Sequence, residues 1–170
     1  MKSLVQGYIR VMDGLAEWIG RFAMCLIYVM IAVLLFDVFS DKALGKVQNW
    51  TLETAQFTLA AFYFLAGPKT LKDEGHVRLD LIYSHLSPRG RAIIDSITIW
   101  IVIFYLGVLL WGGISSLHYS WITNQRLPSL WAPSLVPIKV LMNVCIALMI
   151  LQCIAIFFRD VLRIREGDAR

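Results

Sequence analysis

The chain has 170 residues, of which 58% are hydrophobic and only 16% charged, with a formal net charge of +4. Soluble domains carry about 25% charged residues, so an ordinary soluble enzyme is a poor fit. The basic residues flank long apolar runs, where anionic lipid headgroups are nearer partners than a nucleic acid.

A membrane-spanning helix needs about 20 mostly apolar residues to cross about 30 Å of hydrocarbon. Before the first such run, Val5, Tyr8, Ile9, Met12 and Leu15 share one helical face, which predicts a short amphipathic interfacial helix over about 3–16. Its alternative is a helix packed on a partner. The first predicted span covers about 18–39; no small-residue cleavage site follows it, so it reads as retained. The second span covers about 50–71, with Glu53, Thr54, Gln56 and Thr58 crowding its first turns. A second interfacial helix is expected over about 77–86, where Leu79, Ile82, Tyr83 and Leu86 share a face. Ser87-Pro88 reads as the start of the third long helix, with a span over about 93–117. Pro128, Pro133 and Pro137 make the next connection irregular, and a fourth span runs over about 137–158 with Lys139 near its start. The expected fold class is therefore an all-α integral membrane protein of four transmembrane helices with short amphipathic interfacial helices, forming a single membrane domain over 1–170.

Orientation follows from Lys and Arg. Lys2, Arg10, Arg21, Lys69, Lys72, Arg78, Arg89, Arg91, Arg159, Arg163, Arg165 and Arg170 fall on one side, twelve of the sixteen. Lys42, Lys46, Arg126 and Lys139 fall on the other. The positive-inside rule puts both termini in the cytoplasm. Trp18, Trp50, Trp121 and Trp131 mark span ends as an aromatic belt does.

Chemistry-bearing patterns are sparse. There is no Gly-rich phosphate loop, HExxH, nucleophile elbow or Cys/His set at metal spacing, so no enzyme and no cofactor is expected. Cys25, Cys145 and Cys153 read as buried free thiols. His76 and His85 lie in a connection and His118 at a span end, which argues against axial haem ligation at membrane depth. Glu53 has two readings, an ion-coupling carboxylate or a hydrogen-bonded structural group near the outer interface. Asp37 and Asp95, near span ends, read as solvated. Gly107, Gly112 and Gly113 with Ser115 and Ser116 permit close helix approach, without a clean small-residue repeat.

Three stretches carry a resemblance. Trp50-Thr51-Leu52-Glu53 opens the second span. Leu71-Lys72-Asp73-Glu74-Gly75-His76-Val77-Arg78-Leu79-Asp80 contains a Gly-His-Val-Arg-x-Asp pattern. Trp131-Ala132-Pro133 and Pro137-Ile138-Lys139, followed by Leu151-Gln152, lead into and along the last span. Together they resemble the small membrane subunit of tripartite ATP-independent periplasmic (TRAP) transporters over nearly the whole chain. Gly67-Pro68-Lys69 departs from the pattern, with a proline where many relatives continue the helix. The resemblance implies a sodium-driven, binding-protein-dependent importer of organic acids in the bacterial inner membrane. A periplasmic substrate-binding protein captures the acid, and a large elevator-type membrane subunit carries acid and sodium. The small subunit widens the static scaffold and holds no substrate, sodium or catalytic ligands. C4-dicarboxylates, keto acids, sugar acids and sialic acid all fit as the acid. Trp50, Glu53, Gly75, His76, Arg78, Asp80, Trp131, Pro133, Pro137 and Lys139 are then structural or partner-interface candidates, with His76, Arg78 and Asp80 expected as one hydrogen-bonded cluster. The outer loops, Asp41–Asn49 and Ser120–Val136, are placed to meet the binding protein. The alternative is an autonomous small proton- or cation-coupled transporter using Glu53.

Overall fold

The computed structural model describes residues 2–45, 48–73 and 88–165, with side chains described over 5–43, 45, 48–73 and 97–159. These residues form four helices: α1 Lys2–Leu44, α2 Thr51–Lys72, α3 Pro88–Ile122 and α4 Val136–Arg165. The expected interfacial helix over 77–86, and with it Gly75, His76, Arg78 and Asp80, lies outside the described residues.

The start of the chain corrects the sequence reading. Residues 3–16 and 18–39 are not an interfacial helix followed by a separate span but parts of one uninterrupted helix, 43 residues long. Ala16-Glu17-Trp18 contains no proline and no turn-forming residue, so nothing ends the helix between the two segments. At 1.5 Å per residue α1 is about 64 Å long, roughly twice the hydrocarbon thickness. The face Val5, Tyr8, Ile9, Met12 and Leu15 is half-buried, while Gln6, Arg10 and Val11 are exposed. That face packs on the chain itself: the Tyr8 hydroxyl donates to the Leu151 carbonyl of α4 at 2.9 Å.

Helix ends follow local chemistry. Gly45 ends α1 in the left-handed region, φ +61°, with its N–H bonded to the Asp41 carbonyl. The α2 helix continues through Pro68 to Lys72, so the proline does not end it. The ring removes one N–H from the ladder, and the side chain is buried. Between α3 and α4 the chain makes a small ordered turn: Leu127 N–H donates to the Pro133 carbonyl and Leu135 N–H to the Gln125 carbonyl. Arg126 and Ser134 thereby pair as an isolated antiparallel bridge. The Ser134 hydroxyl accepts from the Val136 N–H at the start of α4, and Pro137 sits in the first turn, where a missing N–H costs nothing.

The helices α1, α2 and α4 pack against one another, and α3 packs on the far side of α4. Leu71, Leu106, Ile146 and Cys153 form the core, with Met142 and Met149 packed around them. Ala16, Ala23, Ala55 and Ala155 are buried, so the helices approach through small residues. Three helices, α1, α3 and α4, are long and apolar enough to cross a membrane. The α2 helix has the length, 22 residues, but its polar first turns make it less apolar. Large side chains such as Tyr28, Leu35, Trp100, Phe104 and Trp111 are exposed, as expected of a surface that meets lipid rather than water. Cys145 and Cys153 are buried as expected, whereas Cys25 is on the exposed surface.

Among the described glycines of α3, only Gly113 makes a close approach. A side chain there would run into the Asn143 amide and Met142 of α4, while Gly107 and Gly112 face open space. Gly113→Val is expected to push α3 off α4 and destabilise the chain by about 1–3 kcal/mol. Gly112→Val, one residue away, should be close to neutral. Equal unfolding of the two variants in detergent would show that the contact carries nothing.

Candidate functional site

The polar side chains collect at two levels. At the level that the positive-inside expectation makes the inner one, Asp13 and Glu17 lie four residues apart on α1 and so share a face. Glu17 accepts a hydrogen bond from Lys72 at 2.6 Å and an ion-paired contact from Lys69 at 3.5 Å, both on α2. Asp13 accepts from the Gln152 amide of α4 at 2.9 Å and lies 3.6 Å from the Arg159 guanidinium. Gln152 is fully buried. One face of α1 thus binds both neighbouring helices. The stem of Lys69 fills the space beside Gly20, where any side chain would collide with it.

At the opposite level, the outer one on the same expectation, the Thr51 hydroxyl donates to the Asp37 carboxylate at 2.6 Å, tying the start of α2 to α1. Asp37 is therefore not simply solvated, as its position near a span end had suggested. Gln48 donates to Ser40 at 3.2 Å and accepts from the Trp50 indole N–H at 3.2 Å. On the other side of the chain, the Lys139 ammonium reaches Ser116 Oγ at 2.9 Å and Gln125 Oε1 at 3.1 Å, and also bonds Ser120 Oγ. Lys139 thereby fastens the end of α3, the turn after it and the start of α4. Asn143, one turn further in, donates to the Lys139 carbonyl at 2.8 Å. Its other amide atom, Oδ1, is buried without a donor among the described residues.

The two levels are one hydrocarbon thickness apart. Glu17 to Asp37 on α1, and Lys139 to Arg159 on α4, are each twenty residues, about 30 Å of helix. Thr51 to Lys72 on α2 gives about 32 Å. Three helices therefore carry polar ties about 30 Å apart, with mainly apolar residues between.

Among the other predicted site residues, Trp50 is the residue before α2 and packs on Phe36, ring centroids 6.0 Å apart. Glu53 is buried, 7% exposed, and its Oε2 has no donor among the described residues. The hydrogen-bonded reading of that oxygen finds no partner here. Trp131, Pro133 and Pro137 line an apolar groove of about 380 Å³ with Leu26, Phe57 and Leu141. The structure thus gathers Trp131, Pro133, Pro137 and Lys139 at one end, and Glu53 is not among the residues that line the groove. No group of three or more His, Cys, Asp or Glu side chains that would hold a metal ion occurs among the described residues.

The family model for tripartite ATP-independent periplasmic transporters, DctQ component, matches residues 10–163. The chain belongs to the DctQ family. It is a membrane component of a three-part transporter, and the family is one of transporter components rather than enzymes. No curated protein and no solved structure matches the chain. The matched range spans all four helices and both polar levels.

Proposed function

We propose that this DctQ-family chain is the small scaffold subunit of a sodium-driven, binding-protein-dependent importer of organic acids, and that it crosses the bacterial inner membrane four times with both termini in the cytoplasm. The observation that carries this reading is the pair of polar levels about 30 Å apart. Fastened at both membrane faces, the helices resist sliding past one another. A scaffold needs that property, because one domain moves across a bilayer only if another is held still. The spacing on α2 is within about 2 Å of that on α1, which supports α2 as the fourth span despite its polar start. The exposed apolar faces of α1 and α3 are then available to lipid and to the large membrane subunit. The loops at the outer level, 41–49 and 120–136, face the periplasm in this orientation and are placed to meet the binding protein.

The deciding experiment is sodium-dependent uptake into vesicles holding the large subunit and binding protein, with and without this chain. Uptake is expected only with the chain present. Glu53→Gln keeps the shape and removes the charge, so a scaffold should keep at least half of wild-type uptake. Loss of uptake with Glu53→Gln in a fully assembled complex would instead support the alternative, a proton- or cation-coupled carboxylate. The buried, donor-free oxygen of Glu53 is the one observation that favours that alternative. Replacing exposed residues of both outer loops, with Gln48, Ser120 and Gln125 kept, is expected to lower uptake while the membrane complex stays intact; unchanged uptake would count against docking there.

A further inference from the structure

The apolar groove has a shape that the scaffold role does not use. On α2 it reaches from Thr54 to Ala61, and on α1 to Leu26. Ala61 is ten residues from Thr51 and Leu26 eleven from Asp37, so both lie about 15 Å inside the outer polar level. The groove is therefore one leaflet deep, half the hydrocarbon thickness. Its walls are apolar in effect: the Thr54 and Thr58 hydroxyls are spent on the Trp50 and Thr54 carbonyls of their own helix.

At its outer mouth the groove joins a second pocket of about 430 Å³, lined by Trp121, Asn124, Ser134, Val136 and Pro137. Ser134 and Pro137 line both. Ser134 pairs across the turn with Arg126. Arg126 is exposed and has no ion-pair partner among the described residues. An apolar channel one leaflet deep, ending in a polar pocket whose Ser134 is bridged to an exposed cation, matches the outline of a phospholipid. A partner helix would extend through both leaflets and would have no use for a polar pocket at one end.

We propose that this groove and pocket hold one phospholipid. One acyl chain lies against Leu26, Phe57, Ala61 and Leu141, the headgroup sits at Asn124 and Ser134, and the phosphate meets Arg126. A cation at headgroup level favours an anionic lipid. The bound chain fills the space between α1, α2 and α4 in the outer leaflet. The site rests on the membrane placement of the chain but not on its sodium coupling or its substrate.

The test is native mass spectrometry of the purified full chain, released from detergent micelles containing phosphatidylglycerol. The expected result is one phospholipid retained per chain. Arg126→Glu, at an exposed side chain with no ion pair among the described residues, should lower the retained fraction at least fivefold. Ala61→Trp, which fills the groove, should do the same at unchanged helical content. Equal retention by wild type and both variants would overturn the site. So would variants that keep lipid but fail to co-purify with the large subunit in a parallel pull-down, since the groove would then seat a partner helix. Uptake is not part of the readout, so this inference and the scaffold reading fail separately.

Discussion

Lys139→Ala is expected to lower the stability of the chain by about 2–4 kcal/mol and to cut the yield of assembled complex several-fold. A charge-assisted hydrogen bond contributes about 1.5–3 kcal/mol, and the Lys139 ammonium directs its protons to Ser116, Ser120 and Gln125 at once. It also lies near the carboxyl end of α3, whose dipole favours a cation. Removing it leaves the Ser116 and Ser120 oxygens short of a donor in a partly dehydrated site. Ser120 keeps its bond to Gln125, so the turn itself should survive while α3 loosens from α4. Lys139→Arg should recover only part of the loss, because a planar guanidinium cannot reproduce a compact three-way donor. The measurement is chemical unfolding in detergent, followed by co-purification with the large subunit. Wild-type behaviour of Lys139→Ala would mean that the ammonium is effectively solvated and the cluster idle.

The sequence made the long elements legible because the bilayer imposes a strong, one-dimensional signal. The spans expected over about 93–117 and 137–158 fall inside α3 and α4, and the prolines mark the turn between them. Lys139 stood out as a lone cation at a span start, but its partners did not. Ser116, Ser120 and Gln125 are ordinary residues until the turn folds back, and that turn depends on left-handed backbone at Asn124 and Ala132. Alanine there gives no warning. The continuity of α1 was missed for the opposite reason. A helical face of apolar residues looks the same whether it lies on lipid or on α4, and the contacts of Tyr8 with Leu151 and of Asp13 with Gln152 distinguish the two. The inner polar level had a readable trace, two carboxylates four residues apart, Asp13 and Glu17, on the side rich in basic residues. Which cation each would meet depends on the packing of α1 against both α2 and α4, and a single sequence does not encode that pairing locally. Asp37 shows the limit of reading depth alone, since a carboxylate near a span end looks solvated until a neighbouring helix supplies Thr51.

Asp13→Ala should be the most damaging change at the inner level, at about 2–3 kcal/mol. Breaking a buried ion pair from one side costs about 3–5 kcal/mol, and the figure is reduced here because the Asp13 side chain is 24% exposed. The loss would come less from the missing bonds than from what stays behind. The Gln152 amide would be fully buried with no acceptor, and the Arg159 guanidinium, whose Nε already lacks one among the described residues, would lose its counter-charge. This reasoning predicts an unusual rescue. Asp13→Ala combined with Gln152→Leu and Arg159→Met removes the stranded groups, so the triple variant should be more stable than Asp13→Ala alone. Asp13→Asn, which keeps an acceptor for Gln152 but not the charge, should fall between wild type and Ala. If the triple variant proves the least stable of the set, the inner level is held by apolar packing of α1 on α4 and not by its polar ties. The same variants separate stability from transport. A chain that unfolds normally yet supports less uptake would place the ties in the service of the scaffold, holding α1 and α4 at a fixed height while the large subunit moves beside them.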